Sequence, residues 1–387
     1  MFLAHPSAEL YGSDRMALQS ALALRAEGEV TVVVPREGPF TQACREHGLE
    51  VVIADVPVLR RMYATPVGIL RLGLRTLRAL PRLVRLLRQS RADVVYVNTL
   101  TIPIWLAAAR LARVPALCHV HEAEPDVGRA VGWALSVPAR LARSVVVNSR
   151  AAYAALVRAL PSIASRTSVI YNGIEEPPSP LPGPSDPLDK PVRLLLVGRI
   201  SARKGTDLAV DALARLVADG VDARLDLAGD VFEGYEWFEA QVRETVEREG
   251  LAERVRFLGF VDDVWSSHAE ADVVLMPSRA EPFGNAAVEA MLAGRPLVAA
   301  AVQGLPEIVT HGRTGVLVAA DDARALADGV RLLVDDWSQA MRIARAGREE
   351  AERRFSMEAY RSSVRAAVRA IARGGSPARE VAPAPRA

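Results

Sequence analysis

Short runs of β-branched and aliphatic residues alternate with longer amphipathic segments along the chain. Such runs are typical of buried strands, and the amphipathic segments between them predict helices. The alternation indicates the α/β class, with a parallel sheet covered by helices on both faces. In the first half we expect one strand at the N-terminus and others near Val30–Val34, Val51–Ala54, Val94–Asn98, Ala116–Val120, Val145–Asn148 and Ser168–Tyr171.

The proline-dense run Glu175–Lys190 interrupts this alternation. Proline lacks an amide donor and fixes its own φ, so neither a helix nor a strand continues through the run. A second series of strands then starts, which favours two doubly wound, Rossmann-like lobes with a cleft between them. Its strands are predicted near Arg193–Val197, Ala223–Ala228, Val255–Leu258, Val273–Pro277, Leu297–Ala300 and Gly315–Val318.

The predicted division of the chain follows from this restart. It comprises a first lobe (1–173), a linker (174–190), a second lobe (191–355), a C-terminal helix that packs back on the first lobe (356–373) and a disordered tail (374–387). A length of 387 residues suits two domains better than one core.

Composition narrows the function classes. A net charge of +2 gives no support for a nucleic-acid partner. Two cysteines, Cys44 and Cys118, provide neither a disulfide framework nor a zinc site, so we expect a cytoplasmic protein. The N-terminus lacks a secretory signal and no apolar run reaches the ~20 residues of a membrane-spanning helix, so any membrane contact is expected to be peripheral.

Two cations, Arg199 and Lys204, lie on the loop between the strand Arg193–Val197 and the helix that follows. Open α/β sheets bind ligands at the carboxyl ends of their strands, and two cations on one such loop suit a diphosphate. The alternative is that both are solvated surface charges.

The segment EPFGNAAVE places Glu281, Gly284 and Glu289 around the start of a later helix. Gly284 lets phosphate oxygens approach the helix N-terminus, where N–H groups and the helix dipole favour an anion. Carboxylates accept hydrogen bonds from hydroxyls, so Glu281 suits a sugar and Glu289 a ribose. The alternative is a surface helix with incidental acidic residues.

These segments, GRISARKG, EPFGNAAVE and GRPLVAAAVQGLPEIVTHGRTGVLV, resemble the family 4 retaining glycosyltransferases, which have the two-lobed GT-B fold. The resemblance covers nearly the whole chain. It implies that Arg199 and Lys204 hold the donor diphosphate, that Glu281 binds the donor sugar and that Glu289 binds the ribose. Backbone contacts to the donor are implied around Phe283, Gly284 and Asn285 and, beside the base, around Gly259, Phe260 and Val261.

The resemblance also implies two loops from the first lobe. Gly12 and Ser13 lie where family members often have a paired-glycine turn near the diphosphate. Here Tyr11 precedes Gly12, so Gly12 alone allows the backbone to approach the diphosphate closely. His121, followed by Glu122, matches the active-site histidine of the family. The alternative for His121, and for His119 on the same side of the strand, is a hydrogen-bonded core histidine.

The stretch Pro66–Arg91 combines leucines and arginines at helical spacing. At 100° per residue, five arginines fall within about 80° of one face: Arg71, Arg75, Arg78, Arg82 and Arg85. This pattern is typical of a helix that docks on an anionic membrane, and the alternative is an ordinary surface helix whose leucines pack on the sheet. Pro81 is expected to kink or restart the helix.

We therefore expect an enzyme on the inner face of the cytoplasmic membrane that moves a hexose from a UDP- or GDP-sugar to a hydroxyl acceptor with retention. A saccharide, a lipid-linked acceptor or an envelope or exopolysaccharide precursor fits this role. The chain has no Asp-x-Asp motif, so no metal or other cofactor is expected and cations stabilise the diphosphate instead. No carboxylate is placed as a nucleophile, which favours same-face attack.

Two other functions remain open. The chain could bind a nucleotide sugar without turnover, as a sensor or partner protein, or it could be a GT-B epimerase. A GT-B phosphorylase would need a lysine that anchors pyridoxal phosphate, and no lysine is assigned to that role.

Overall fold

A computed structural model describes residues 1–10, 12–59, 65–121, 129–188, 190–232 and 234–375. The chain forms two compact units, which we call unit 1 (1–173 and 357–375) and unit 2 (174–356). Tyr11, Glu122 and most of the predicted tail, from residue 376, lie outside the described residues.

Unit 1 is built on a seven-stranded parallel sheet with the order β3-β2-β1-β4-β5-β6-β7. Strands β4, β5 and β6 are buried along their whole length, because their aliphatic side chains pack under helices on both faces. The strand order reverses between β1 and β4. The elements are β1 (Phe2–Ala4), α1 (Gly12–Arg25), β2 (Thr31–Val34), α2 (Pro39–Glu46), β3 (Glu50–Ile53), α3 (Pro66–Gln89), β4 (Val95–Asn98), α4 (Ile104–Ala112), β5 (Ala116–Val120), α5 (Arg129–Ser136), β6 (Ser144–Val147), α6 (Arg150–Ala159) and β7 (Thr167–Val169).

Unit 2 repeats this plan with six parallel strands in the order β10-β9-β8-β11-β12-β13. The order reverses between β8 and β11, where a doubly wound sheet leaves a crevice for ligands. Its elements are β8 (Val192–Val197), α7 (Thr206–Ala218), β9 (Ala223–Ala228), α8 (Glu236–Arg248), β10 (Val255–Gly259), α9 (Val264–Glu270), β11 (Val273–Met276), α10 (Asn285–Leu292), β12 (Leu297–Ala300), α11 (Leu305–Ile308), β13 (Val316–Val318), α12 (Ala323–Asp335) and α13 (Trp337–Arg354).

The last helix, α14 (Met357–Ala372), belongs to unit 1 and packs on α1. The hydroxyl of Tyr360 lies 2.6 Å from that of Ser20, and the guanidinium of Arg369 donates to Glu27 at 2.7 Å. Buried Val364, Val368 and Ile371 belong to the same core as α1. The C-terminal helix is therefore part of the first sheet's cover.

The predicted α/β class with two Rossmann-like sheets is confirmed, and the strands form where the apolar runs predict them. The proline-dense run packs on unit 2, because the Pro182 carbonyl accepts from Arg295 and the Ser185 carbonyl accepts from Trp337 Nε1 at 2.8 Å. The predicted restart at Pro81 does not occur, since α3 is one helix from residue 66 to 89. Pro81 and Leu77, whose carbonyl loses its helical partner there, are both exposed, so water can satisfy that carbonyl. None of the helices in the described ranges is both long and apolar enough to cross a membrane.

Candidate functional site

The first set of predicted site residues lies on the loop from β8 to α7. Gly198 opens the loop at φ +149°, and its N–H donates to the Ala228 carbonyl at 2.9 Å. The hydroxyl of Ser201 caps a short 3-10 turn, Ala202–Lys204. The aliphatic chain of Lys204 lies over Gly198, where an added Cβ would meet it at 3.4 Å. The lysine is therefore held at the carboxyl end of β8.

Gly205 brings this loop against the end of β11. It adopts φ +69°, and a Cβ at this position would lie 2.2 Å from the carbonyl oxygen of Pro277. A side chain would force the two loops apart, so the close approach requires glycine. The loops after β8 and β11 thus meet at the point where the strand order reverses.

Lys204 and Glu281 form an ion pair across these loops. Lys204 Nζ donates to Glu281 Oε2 at 2.6 Å, and the Ser278 hydroxyl donates to the same oxygen at 3.3 Å. Glu281 is buried and Lys204 is largely so. A buried carboxylate needs such partners, because its desolvation is costly when no cation or donor replaces water. The residues predicted for the diphosphate and for the sugar are therefore in direct contact.

Arg279, which the sequence reasoning did not single out, fastens the same two loops together. Its guanidinium donates to both carboxylate oxygens of Asp207 at 2.8 and 2.7 Å and to Asp321 at 2.6 Å. It also donates to the Ala202 carbonyl at 2.6 Å. Hydrogen bonding to Asp207 raises the pKa of Arg279 above its usual range. This clamp fixes the backbone on either side of the Lys204–Glu281 pair.

The start of α10 follows Glu281 directly. Gly284 adopts φ +124°, and a Cβ there would lie 2.7 Å from the Leu305 side chain, so the turn into the helix requires glycine. The Phe283 ring is buried against Phe355, with ring centroids 5.6 Å apart. Any contact of Phe283 with a ligand would therefore involve its backbone. Asn285 is the first residue of α10, and Glu289 lies one turn further on.

The residues predicted to lie beside the base occupy the carboxyl end of β10. Gly259 has φ +68° and its carbonyl accepts from the N–H of Gly229 at 2.8 Å. Phe260 is half exposed and Val261 follows it. The neighbouring strand β9 leads to Phe232, whose ring lies 5.1 Å below the guanidinium of Arg199. Phe232 was not predicted; the signal available was an exposed aromatic residue just after a strand.

Unit 1 carries a different set of groups at the carboxyl ends of its strands. His121 Nε2 lies 2.9 Å from Asn98 Oδ1, and Asn98 Nδ2 lies 3.0 Å from His5 Nδ1. His5 Nε2 lies 2.7 Å from Asp14 Oδ1. His5, Asn98 and His121 stand at the ends of β1, β4 and β5, and Asp14 lies in the first turn of α1. Asn98, His5 and Asp14 were missed, although each is a polar residue at a strand end or helix start.

Two histidines at this edge, His121 and His119, are held neutral. Burial lowers the pKa of His121 to about 3. Burial also lowers the pKa of His119 well below its usual range. The two rings stack with centroids 4.0 Å apart, and His119 Nδ1 lies 2.5 Å from the hydroxyl of Tyr96. His119 is a buried, hydrogen-bonded core residue, as its alternative interpretation had it. Gly12 and Ser13 begin α1 beside this set and are exposed.

The arginine-rich helix α3 turns its arginines to solvent. Ala79, Leu83 and Leu87 face the core. Five apolar residues are exposed. Ile69 (63%) lies on the side of Leu87, and the other four are Val67 (60%), Leu70 (64%), Leu74 (44%) and Leu77 (69%). At 100° per residue they form a stripe next to the five arginines and away from the buried side. Leu80, Val84 and Leu86 also pack against the core, as expected of a surface helix, so the exposed apolar residues are confined to the first half of α3.

No group of three or more His, Cys, Asp or Glu side chains in the described part of the chain is placed to hold a metal ion.

Two Rossmann-like sheets, each with polar side chains at its strand-order reversal, define a GT-B protein. Residues 183–350 match the family described as glycosyl transferases group 1, and residues 11–176 match glycosyltransferase family 4. The chain is similar to glycogen synthase of Mycobacterium tuberculosis (strain CDC 1551 / Oshkosh), with 32% identity over 302 residues, 74% of this chain and 71% of the relative.

Two further relatives agree. The lipopolysaccharide core biosynthesis mannosyltransferase LpsB of Rhizobium meliloti (strain 1021) is 32% identical over 178 residues, 46% of this chain and 51% of LpsB. The crystal structure of Anabaena HepE in complex with UDP and glucose has a TM-score of 0.79 at 26% identity, covering 94% of this chain and 97% of HepE. The chain belongs to the family 4 glycosyltransferases, which are hexosyltransferase-class enzymes that act with nucleotide sugars. The predicted family, enzyme class and nucleotide-sugar partner are confirmed.

Proposed function

We propose that this enzyme transfers a hexose from a uridine diphosphate sugar to a hydroxyl acceptor with retention of configuration and without a metal ion. The observation that carries the proposal is the Lys204–Glu281 pair at the β8/β11 reversal, beside the N-terminus of α10. HepE, solved with UDP, with UDP and glucose, and with UDP-glucose, supports UDP-glucose as the first donor to test. The name of LpsB, a mannosyltransferase, supports a nucleotide-activated mannose as the second.

The Lys204–Glu281 pair suggests how the donor binds. An incoming diphosphate competes with Glu281 for Lys204, because both are anions and the lysine ammonium has three donors. Glu281 Oε2 then accepts hydrogen bonds from donor-sugar hydroxyls, while Arg199 and the first turn of α10 face the diphosphate. As the bond between the sugar and the diphosphate breaks, Lys204 and Arg199 stabilise the charge that develops on the leaving diphosphate.

Retention follows in this proposal from attack on the face that the diphosphate leaves. The acceptor hydroxyl passes its proton to a phosphate oxygen as the new bond forms. Glu281, held by Lys204 and Ser278, suits a ligand of sugar hydroxyls rather than a nucleophile. The ribose is assigned to Glu289 and the base to the backbone of Gly259–Val261.

The test separates transfer from binding alone. Donor consumption with a chelator present, and the product's anomeric configuration by NMR, are measured for the wild type, Glu281→Gln and His121→Gln. We expect both variants to keep donor affinity within a few-fold and to lose most of the transfer. Glu253→Gln, which changes an exposed carboxyl of unit 2, is the matched control. A non-catalytic sensor is indicated instead if the wild type binds the donor and consumes none with any acceptor.

A second proposal concerns the acceptor. We infer that α3 docks on the anionic inner face of the cytoplasmic membrane, so that the acceptor is lipid-linked or built at that surface. The exposed stripe Val67, Leu70, Leu74 and Leu77 supplies apolar contact, and the adjacent arginines supply attraction to phospholipid headgroups. Each arginine near such a surface contributes about 1 kcal/mol at most. Arg75 also pairs with Asp55 at 2.6 Å.

Co-sedimentation with phosphatidylglycerol-containing vesicles tests this docking. We expect Arg75, Arg78 and Arg82→Glu together, and Leu70, Leu74 and Leu77→Ser together, each to abolish binding. The control replaces three exposed arginines of unit 2, Arg313, Arg342 and Arg345, by Glu and should still sediment. Equal binding to neutral vesicles, or no binding by the wild type, would overturn the docking proposal.

A further inference from the structure

A continuous line of hydrogen bonds crosses the strand-order reversal of unit 1. It runs from Asp14 to His5, then to Asn98, and ends on His121. Asp14 and His5 are each 2% exposed and Asn98 is 1% exposed, so these three are closed off from water, and His121 at the end of the line is partly exposed. The residues come from four separate segments of the chain, so only the fold brings them together.

The direction of each bond follows from the acceptor at its start. An ionised carboxylate can only accept, so His5 donates from Nε2 to Asp14, and an amide nitrogen can only donate, so His5 Nδ1 accepts from Asn98 Nδ2. The Asn98 amide then donates to His5 Nδ1, which turns its Oδ1 towards His121. His121 must donate from Nε2 to that oxygen. The proton of a neutral His121 ring is thereby assigned to Nε2.

We propose that Asp14, His5 and Asn98 are positioning residues that hold His121 as the Nε2–H tautomer, with Nδ1 as the acceptor atom of the ring. Its consequence for catalysis rests on the proposed function, because His121 serves transfer only if the chain is a transferase. A ring with the opposite polarity presents a donor where the enzyme needs an acceptor. The assignment of the tautomer itself does not depend on activity.

Two further observations limit the states that the His121 ring can adopt. Burial lowers the pKa of His121 to about 3, so the ring is neutral at physiological pH and carries a single proton whose position matters. The ring also stacks on His119 at 4.0 Å, which limits its rotation. A neutral ring of fixed orientation has only two states, distinguished by which nitrogen is protonated.

Asp14→Asn is the sharpest variant, because it keeps the size of the side chain and removes its restriction to accepting. The amide that this substitution introduces can donate to His5 Nε2, and every bond of the line can then reverse, leaving His121 protonated on Nδ1. His5→Phe is the second variant. It removes both ring nitrogens from the line and keeps an aromatic ring at this position, where the His5 ring packs near Phe40 with centroids 4.8 Å apart. Glu37→Gln, an exposed carboxyl-to-amide change in the same unit, is the control.

The experiment uses full-length protein labelled with ¹⁵N-histidine. The chain has six histidines, so His121 is assigned from the resonances lost in His121→Gln. We expect a protonated Nε2 and an unprotonated Nδ1 in the wild type and the control, and an Nδ1–H population in Asp14→Asn and His5→Phe. In the transfer assay we expect kcat to fall at least about tenfold, as on loss of partners that orient a functional histidine, with the donor KM little changed.

Each outcome decides between the proposals. An Nδ1–H ring in the wild type, or an unchanged ring in both variants, would overturn the tautomer assignment. A changed tautomer with unchanged kcat would overturn the positioning role. A wild type that shows the Nε2–H ring and no transfer with any donor would remove the proposed function while leaving the assignment intact.

Discussion

The sheets of the two units have the same pattern of strand order, but the side chains at their strand-order reversals differ in charge. At the reversal of unit 2, charged side chains meet: Lys204 binds Glu281, and Arg279 binds Asp207 and Asp321. At the reversal of unit 1, one buried carboxylate, Asp14, is linked through His5 and Asn98 to His121, and His121 and His119 are kept uncharged by burial. Equivalent strand ends in the two sheets therefore carry side chains of different charge.

Because of this difference in charge, the two edges suit different groups of a ligand. The charged loops of unit 2 suit a nucleoside diphosphate, whose negative charge they can neutralise. The hydrogen-bonded line of unit 1 suits orientation of hydroxyl groups, since it ends on an uncharged His121 ring. Changes in unit 2 should therefore affect catalysis more than changes in unit 1.

Lys204→Ala is expected to have the largest effect. In the proposed mechanism this change removes a cation that stabilises the leaving diphosphate, and it leaves the Glu281 carboxylate without its ion-pair partner. We expect kcat to fall roughly 100- to 1000-fold, as when one electrostatic stabiliser of a transition state is lost. Steady-state kinetics beside His121→Gln check the comparison. A larger loss in His121→Gln would reverse the assignment of roles.

Arg279→Met is expected to loosen the clamp that aligns the two loops of unit 2. Loss of hydrogen bonds to charged groups should reduce the free energy of unfolding by about 1–3 kcal/mol and raise the donor KM. Denaturant unfolding and kinetics of Arg279→Met, Asp207→Asn and the double variant measure the coupling. Additive effects of the two changes would show that the Arg279–Asp207 bonds do not hold the loops.

Acidification should destabilise both units through their neutral histidines. The pKa values of His121 and His268 are lowered to about 3 by burial, so between about pH 6.5 and 3 the unfolded chain binds more protons than the folded one. Stability then falls with falling pH, by at most about 1.4 kcal/mol per pH unit for each histidine.

Urea unfolding at pH 7, 6 and 5 measures this dependence. His268→Leu should flatten it, because the titrating group of unit 2 is gone. His47→Gln, an exposed change, should leave the slope unaltered. A slope that is the same in wild type and His268→Leu would contradict the role of this buried ring.

Phe232→Ala is expected to have the smallest effect. Phe232 lies under the Arg199 guanidinium, and a cation–π contact at an exposed site contributes about 0.5–1 kcal/mol. UDP affinity by calorimetry should fall two- to fivefold, whereas Trp237→Ala, another exposed aromatic residue of unit 2, should bind as the wild type. Equal losses in both variants would mean that Phe232 has no specific role.

The sequence predicted the fold well because parallel strands buried on both faces leave continuous aliphatic runs. It also placed Lys204 and Glu281 at one edge, since each follows a strand closely. Their direct contact was not predictable, because it depends on how near Gly205 brings the loops. Contacts between distant segments were missed as well: Arg279 and Asp207 are 72 positions apart, and Asn98 and His5 are 93 apart.

The central claim, that the charged edge of unit 2 binds a nucleoside diphosphate, is tested most directly by thermal shift with UDP, GDP, TDP and ADP on the wild type and Lys204→Ala. A ligand bound only by the folded protein stabilises it by RT ln(1 + [L]/Kd), about 2.7 kcal/mol at 100 Kd. We predict a saturable rise in Tm with UDP, weaker responses to the other three, and loss of the UDP response in Lys204→Ala. No response to any of the four, or an unchanged UDP response in the variant, would contradict the claim.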